Sequence, residues 1–168
     1  MVLTVVYFEG GKMLEKTCCF TGHREIPQAD YEEIKNNTKN VVVSLIEKGI
    51  VRFIAGGARG FDAMAAEVIL ELKNEYSQIE LILALPCPEQ TKGWREEDVR
   101  KYNFIKERAG EVLYTSNRFT YGCMHVRNRY LVDNSRYCVC YMTKNSGGTA
   151  YTVEYANRHN RIVINVAR

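Results

Sequence analysis

Proline is scarce, three residues in 168, and no uninterrupted apolar run approaches the roughly 20 residues that a membrane helix needs. No membrane anchor is therefore expected. The N-terminal residues lack a basic segment followed by a long apolar stretch, so no secretory leader is expected and the cytoplasm is the expected location. Charge of one sign is also in short supply: 23 Lys and Arg against 20 Asp and Glu leave a formal +3. That balance permits an anionic ligand without demanding nucleic acid. The six cysteines (18, 19, 87, 123, 138 and 140) form no Cys-x-x-Cys pair, so no metal site is expected. Adjacent Cys18 and Cys19 are poorly placed to bridge each other, and Cys138 and Cys140 share one face of a strand. Buried free thiols in a reducing compartment are the simpler reading. The dehydrogenase fingerprint G-x-G-x-x-G and the P-loop with its Lys-Ser/Thr are both missing, which lowers the case for a nicotinamide enzyme or an ATPase. No cofactor is expected.

What is present is a regular alternation of strand and helix patterns. Short apolar runs at 17–21, 51–55, 79–85, 111–114, 136–142 and 161–166 read as strands. Segments 29–48, 61–75, 95–109, 122–134 and 149–158 read as helices, with Ile34, Val41, Val42 and Leu45 recurring at helical spacing and Gly49 suited to the C′ position. The third strand is apolar on both faces, as a central parallel strand should be. This order predicts an α/β fold, a Rossmann-like three-layer sandwich with a mostly parallel central sheet and helices on both faces. Right-handed crossovers then bring the loops at 21–25, 56–60, 86–94, 115–123 and 143–149 to one edge of the sheet, where they should meet in one crevice.

The expected domain is 15–168, preceded by an extension over 1–14. Glu9-Gly10-Gly11-Lys12-Met13 is what a ribosome-binding site followed by a start codon would encode, which suggests a native start at Met13. A short extra strand over Leu3–Phe8, apolar and β-branched, is the competing expectation.

Two turns carry the chemistry. Ile54-Ala55-Gly56-Gly57-Ala58-Arg59-Gly60-Phe61-Asp62 runs from strand into helix through glycines, and Ser146-Gly147-Gly148-Thr149 does the same after the fifth strand. Such turns present backbone N–H groups at a helix N-terminus, where phosphate binds well. Gly56, Gly57 and Gly60 permit positive φ and close backbone approach to a ligand. Arg59 is placed to neutralise a phosphate, and Asp62 to contact the ligand or cap the helix. Thr21, Gly22, His23 and Arg24 follow the first strand into the same crevice. Arg127 offers a planar fork for phosphate, or a solvated helix face; Glu154 offers a carboxylate beside a ribose, or a charge favoured by the helix dipole. Trp94 either stacks on a base or covers the edge of the core, and His125 packs locally.

Residues 55–66, Ala-Gly-Gly-Ala-Arg-Gly-Phe-Asp-Ala-Met-Ala-Ala, resemble the glycine-rich segment of DprA-type DNA-processing proteins. Met124-His125-Val126-Arg127-Asn128 with Ser146-Gly147-Gly148-Thr149-Ala150-Tyr151-Thr152-Val153-Glu154 resembles the paired signature of LOG phosphoribohydrolases, Met-His-x-Arg-Lys and Pro-Gly-Gly-x-Gly-Thr-x-x-Glu. Both families belong to the SLOG superfamily of Rossmann-like nucleotide-binding proteins. Cys18-Cys19-Phe20-Thr21-Gly22-His23-Arg24 resembles its YpsA/YoqJ-like branch. Ser146 stands for the LOG proline, Asn128 for its lysine, and Ala150-Tyr151 for its Gly-Thr, so a bound phosphate is expected to shift around the bulkier Tyr151.

The resemblance implies a nucleotide-type small-molecule partner and three competing functions. The first is a nucleotide-binding domain acting as a ligand sensor. The second is a hydrolase of N-glycosidic bonds in nucleoside 5′-monophosphates, with Arg127 and Glu154 as catalytic residues: Glu154 would stabilise the oxocarbenium and Arg127 would grip phosphate or orient the carboxylate. The third, ranked well below, is single-stranded DNA binding by Arg118, Arg127, Arg129 and Arg136 interleaved with Phe119, Tyr121 and Tyr130. A homodimer is implied by analogy with LOG proteins.

Overall fold

A computed structural model describes residues 10–167; Leu3–Phe8 lies outside the described residues. Gly10–Glu15 forms a short helix, α1, which crosses the expected boundary at 14/15. It is tied to the strand that follows by Thr17 Oγ1, which donates to the Met13 carbonyl at 2.5 Å.

Six strands follow: β1 (Thr17–Gly22), β2 (Arg52–Ala55), β3 (Glu80–Leu85), β4 (Glu111–Tyr114), β5 (Tyr137–Tyr141) and β6 (Ile162–Asn165). Between them lie α2 (Tyr31–Glu47), α3 (Phe61–Leu72), α4 (Glu96–Arg108), α5 (Cys123–Asp133) and α6 (Gly147–Arg158). All pairings are parallel, in the order β4-β3-β2-β1-β5-β6. The expected α/β sandwich is therefore present, with most ends displaced by no more than two residues, the usual uncertainty of helix and strand termini, and α3 ending three residues before the expected 75.

Alternation along the strands builds two apolar layers. Phe20, Phe53, Leu81, Leu83 and Val139 face α2, α3 and α4, packing with Leu45, Met64, Ile69 and Ile105. Cys19, Ile54, Ile82, Ala84 and Cys138 face α5 and α6, packing with Leu131, Val132 and Ala156. The central strands carry apolar residues at both parities because both faces are covered. All six cysteines are free and buried. Burial raises the Cys18 thiol, and a hydrogen bond with Cys19 together with burial raises Cys138; these are inert packing groups. No helix among the described residues is long and apolar enough to cross a membrane.

Chain direction decides where the site falls. From β1 the chain moves outward through β2, β3 and β4, then returns to place β5 on the other side of β1. The strand order reverses between β1 and β5, and their loops diverge there to leave a crevice at the carboxyl ends.

Candidate functional site

That crevice is a cavity of about 980 Å³. Its wall is drawn from the end of β1 and the loop after it (Thr21 to Pro27), the turn after β2 (Ala58, Arg59), Asp62 of α3, the first turns of α5, and the loop and helix start after β5 (Thr143, Lys144 and Ser146 to Thr149). Of the five loops expected to converge, three do so. The loop after β3 instead runs beneath the glycine turn, where Gln90 Nε2 donates to the Gly56 carbonyl at 3.1 Å, and residues 115–122 are not part of the wall.

The two glycine turns differ in kind. At Ser146-Gly147-Gly148-Thr149 the backbone is open. Ser146 is extended (φ −143°, ψ 159°) and makes no side-chain cap bond. A helix's first amides have no intrahelical acceptor, so those of α6 are available to a ligand. A β-carbon at Gly147 or Gly148 would meet nothing within 4 Å, and all four residues line the cavity. Gly147 has φ +87°, which aims the turn.

At Gly56-Gly57-Ala58-Arg59-Gly60 several amides already find acceptors within the chain. Asp62 Oδ2 accepts the amides of Gly56 (3.1 Å) and Ala58 (3.3 Å). Asp62 thus reaches back to the turn rather than capping its helix, which carries no side-chain cap bond. The amide of Phe61, first residue of α3, donates to the His23 carbonyl at 3.1 Å. The missing side chains face protein, not ligand: a β-carbon on Gly56 would lie 2.4 Å from Arg127 Nη1, on Gly57 2.4 Å from Leu85 Cδ2, and on Gly60 2.3 Å from the Arg24 carbonyl oxygen. None of these three glycines lines the cavity, whereas Arg59 and Asp62 do. Close approach calls for glycine at all three positions, joined by positive φ at Gly57 (+71°) and Gly60 (+74°), but the approaching group is the protein itself.

Arg127 is what Gly56 makes room for. It is 5% exposed, not a solvated face. Its Nη1 donates to the Gly56 carbonyl and its Nε to Asn128 Oδ1 at 2.9 Å. Burial lowers the Arg127 pKa while the Asp62 carboxylate opposes that; burial raises Asp62, opposed by Arg127 and the two amides. One residue, Gly56, is held at its N–H by Asp62 and at its carbonyl by Arg127. Two buried opposite charges thereby clamp the turn against α5.

The β1 and β5 loops are joined by His23. Its Nε2 accepts the Thr143 amide at 2.8 Å, so the ring is neutral with its proton on Nδ1. Burial and the nearby Lys144 lower the His23 pKa from 6.5. Its ring stands edge-on to Tyr141 at 5.5 Å. Thr21 and Gly22 are on the wall, and Gly22 is needed because a β-carbon would fall 2.5 Å from the Phe61 ring.

Glu154 does not join Arg127. It is exposed on α6, pairs with Arg158 one turn on, and is not part of the cavity wall. Tyr151 also faces elsewhere, edge-on to His125 at 4.4 Å with its hydroxyl accepting Arg129 Nη1 at 3.0 Å. The expected displacement of a phosphate by Tyr151 therefore has no geometric basis. Lys144, Tyr141, Asp30 and Glu25 line the cavity and escaped sequence reasoning; the place of Lys144 in a loop after a strand was the available signal. Among the described residues no group of three or more His, Cys, Asp or Glu converges on a metal-sized site.

Residues 18–164 match the YpsA family, described as the YspA SLOG family. The chain is 32% identical over 131 residues to a UPF0398 protein of Halalkalibacterium halodurans, covering 76% of this chain and 69% of that one. Among solved structures, DNA processing protein A (DprA) from Streptococcus pneumoniae aligns with TM-score 0.63 at 15% identity, over 89% of this chain and 49% of that one, so this chain spans about half of that protein's length. DprA from Helicobacter pylori, solved for its single-stranded DNA binding mode, gives TM-score 0.61 at 15% identity over 90% and 65%. At such identity these likenesses show the fold alone. Together with the glycine turns and the opening His23-Arg24 loop, the family match over nearly the whole described chain means that this protein belongs to the YpsA family of the SLOG superfamily.

Proposed function

We propose that the chain binds a nucleotide or nucleotide derivative in the β1/β5 cavity and acts as a ligand sensor. The observation that carries this reading is the open start of α6. Uncapped amides, two glycines facing empty space and Lys144 beside them form an anion site at the place where α/β sheets bind ligands. Arg24, Arg59 and Arg127 add positive charge to the wall, which also carries the carboxylates of Glu25, Asp30 and Asp62. About 980 Å³ is ample for a nucleotide, since pockets for drug-sized ligands run to roughly 300–1,000 Å³.

Binding is favoured over N-glycosidic hydrolysis by the position of the carboxylates. Glu154, the carboxylate that the hydrolase reading needs, points away and pairs with Arg158, and Asp62 is committed to two amides, which leaves Glu25 and Asp30 as the other carboxylates of the wall. Single-stranded DNA binding is a second reading. It is supported by Phe119 and Tyr121, 63% and 105% exposed, and by what the H. pylori structure is named for. Mass spectrometry of small molecules released from the purified protein tests the first reading, with a nucleotide expected. Incubation with nucleoside monophosphates should release no free base. Oligonucleotide binding that falls steeply with salt would instead favour the DNA reading.

A further inference from the structure

A second cavity of about 590 Å³ adjoins the first. The two share Arg24, Glu25, Ile26, Ala58 and Arg59 as wall residues. Tyr31, Trp94 and Tyr102 line the second, with Trp94 edge-on to Tyr102 at 5.7 Å. Arg59 stands between the cavities. Its guanidinium carbon lies over the Trp94 ring, 5.4 Å from the centroid and within cation–π range. Its Nη1 is 3.9 Å from Asp98 Oδ2, too far for a hydrogen bond. Its Nε is buried and has no partner among the described residues. A buried donor without an acceptor costs free energy that a ligand oxygen would recover.

We infer that the second cavity is a subsite for a planar aromatic group belonging to the same ligand, stacked at Trp94, with a phosphate of the linking chain held by Arg59. This rests on the reading of the first cavity as a nucleotide site. Because the first cavity alone has room for a mononucleotide, a ring in the second belongs to a longer molecule, with phosphates between two planar ends. The carboxylates of Glu97 and Asp98 and the cations Arg95 and Lys101 also line the second cavity. Lys101 is drawn toward Glu67, 3.8 Å away, which leaves Arg59 and Arg24 as the cations common to both spaces.

The chain has a single tryptophan, so its fluorescence reports on this subsite directly. Adenosine 5′-monophosphate and diadenosine diphosphate are titrated into the wild-type protein, with affinities measured by calorimetry. The dinucleotide should bind about tenfold tighter, the scale of one base stacked on an aromatic ring, and should change Trp94 emission. The monophosphate should bind without that change. Trp94→Leu should reduce the dinucleotide to the affinity of the monophosphate, and Arg59→Gln should lose most of the same advantage. If the dinucleotide binds no tighter than the monophosphate and leaves Trp94 emission unmoved, the subsite is refuted while the first cavity's role survives. If neither compound binds, both readings fall.

Discussion

Replacing Asp62 separates two accounts of the glycine turn. Asp62 is 6% exposed, and both amides that it accepts land on one oxygen, Oδ2. An asparagine presents an equivalent oxygen at the same place, so Asp62→Asn can keep both bonds. It loses the charge assistance of each, about 1 kcal/mol per bond. It also leaves the buried Arg127 without its opposite charge, but removes the cost of burying an ionised carboxyl, which holds the Asp62 pKa above 3.8 despite Arg127 and the amides. These effects offset one another, and the expected net loss is about 1 kcal/mol. Asp62→Ala keeps no acceptor. Two donors are orphaned at about 1–3 kcal/mol each, and the buried Arg127 faces an uncompensated space, so about 4 kcal/mol is expected. Urea unfolding with a common m-value measures both. An alanine variant within about 1 kcal/mol of wild type would refute the claim that Asp62 holds the turn. Equal losses for asparagine and alanine would show that its charge, not its hydrogen bonding, carries the stability.

The two glycine turns should respond oppositely to alanine. Gly60→Ala forces a β-carbon against the Arg24 carbonyl at φ +74° and should cost at least about 3 kcal/mol or prevent folding. Gly148→Ala meets open space and should leave the urea midpoint unchanged or raise it, since alanine suits a helix better by about 0.5–1 kcal/mol. A shift of stability with pH is expected from His23. Its lowered pKa means that the folded protein favours the neutral ring, so this contribution is intact above pH 6.5 and is lost as pH falls below that value. Urea midpoints from pH 7.5 to 5 should fall less in His23→Gln than in wild type. Glu154→Gln breaks only an exposed pair with Arg158; stability should change by less than about 0.5 kcal/mol, and calorimetry should find the same nucleotide affinity.

Much of the architecture was legible because periodicity reports directly on which side of an element is covered. The run Leu81-Ile82-Leu83-Ala84-Leu85 is apolar at both parities, which only a strand with helices on both faces allows. Ser146-Gly147-Gly148-Thr149 was equally legible as an open turn, since its openness comes from what those residues themselves lack. The other turn read the same way and proved different. The glycines at 56, 57 and 60 demand an intimate neighbour, but nothing local says whether that neighbour is a phosphate or Arg127, Leu85 and the Arg24 backbone.

The amino-acid order alone determined the strand and helix succession, the parallel sheet, and the edge at which its loops gather, because those follow from short-range spacing and the handedness of the crossovers. Tertiary structure alone decided that the chain turns back at β1 and opens its cavity there, that Arg127 is buried against Gly56, and that Glu154 looks outward. Those outcomes depend on which distant side chain reaches a given space first, a competition among packed neighbours that no local pattern encodes.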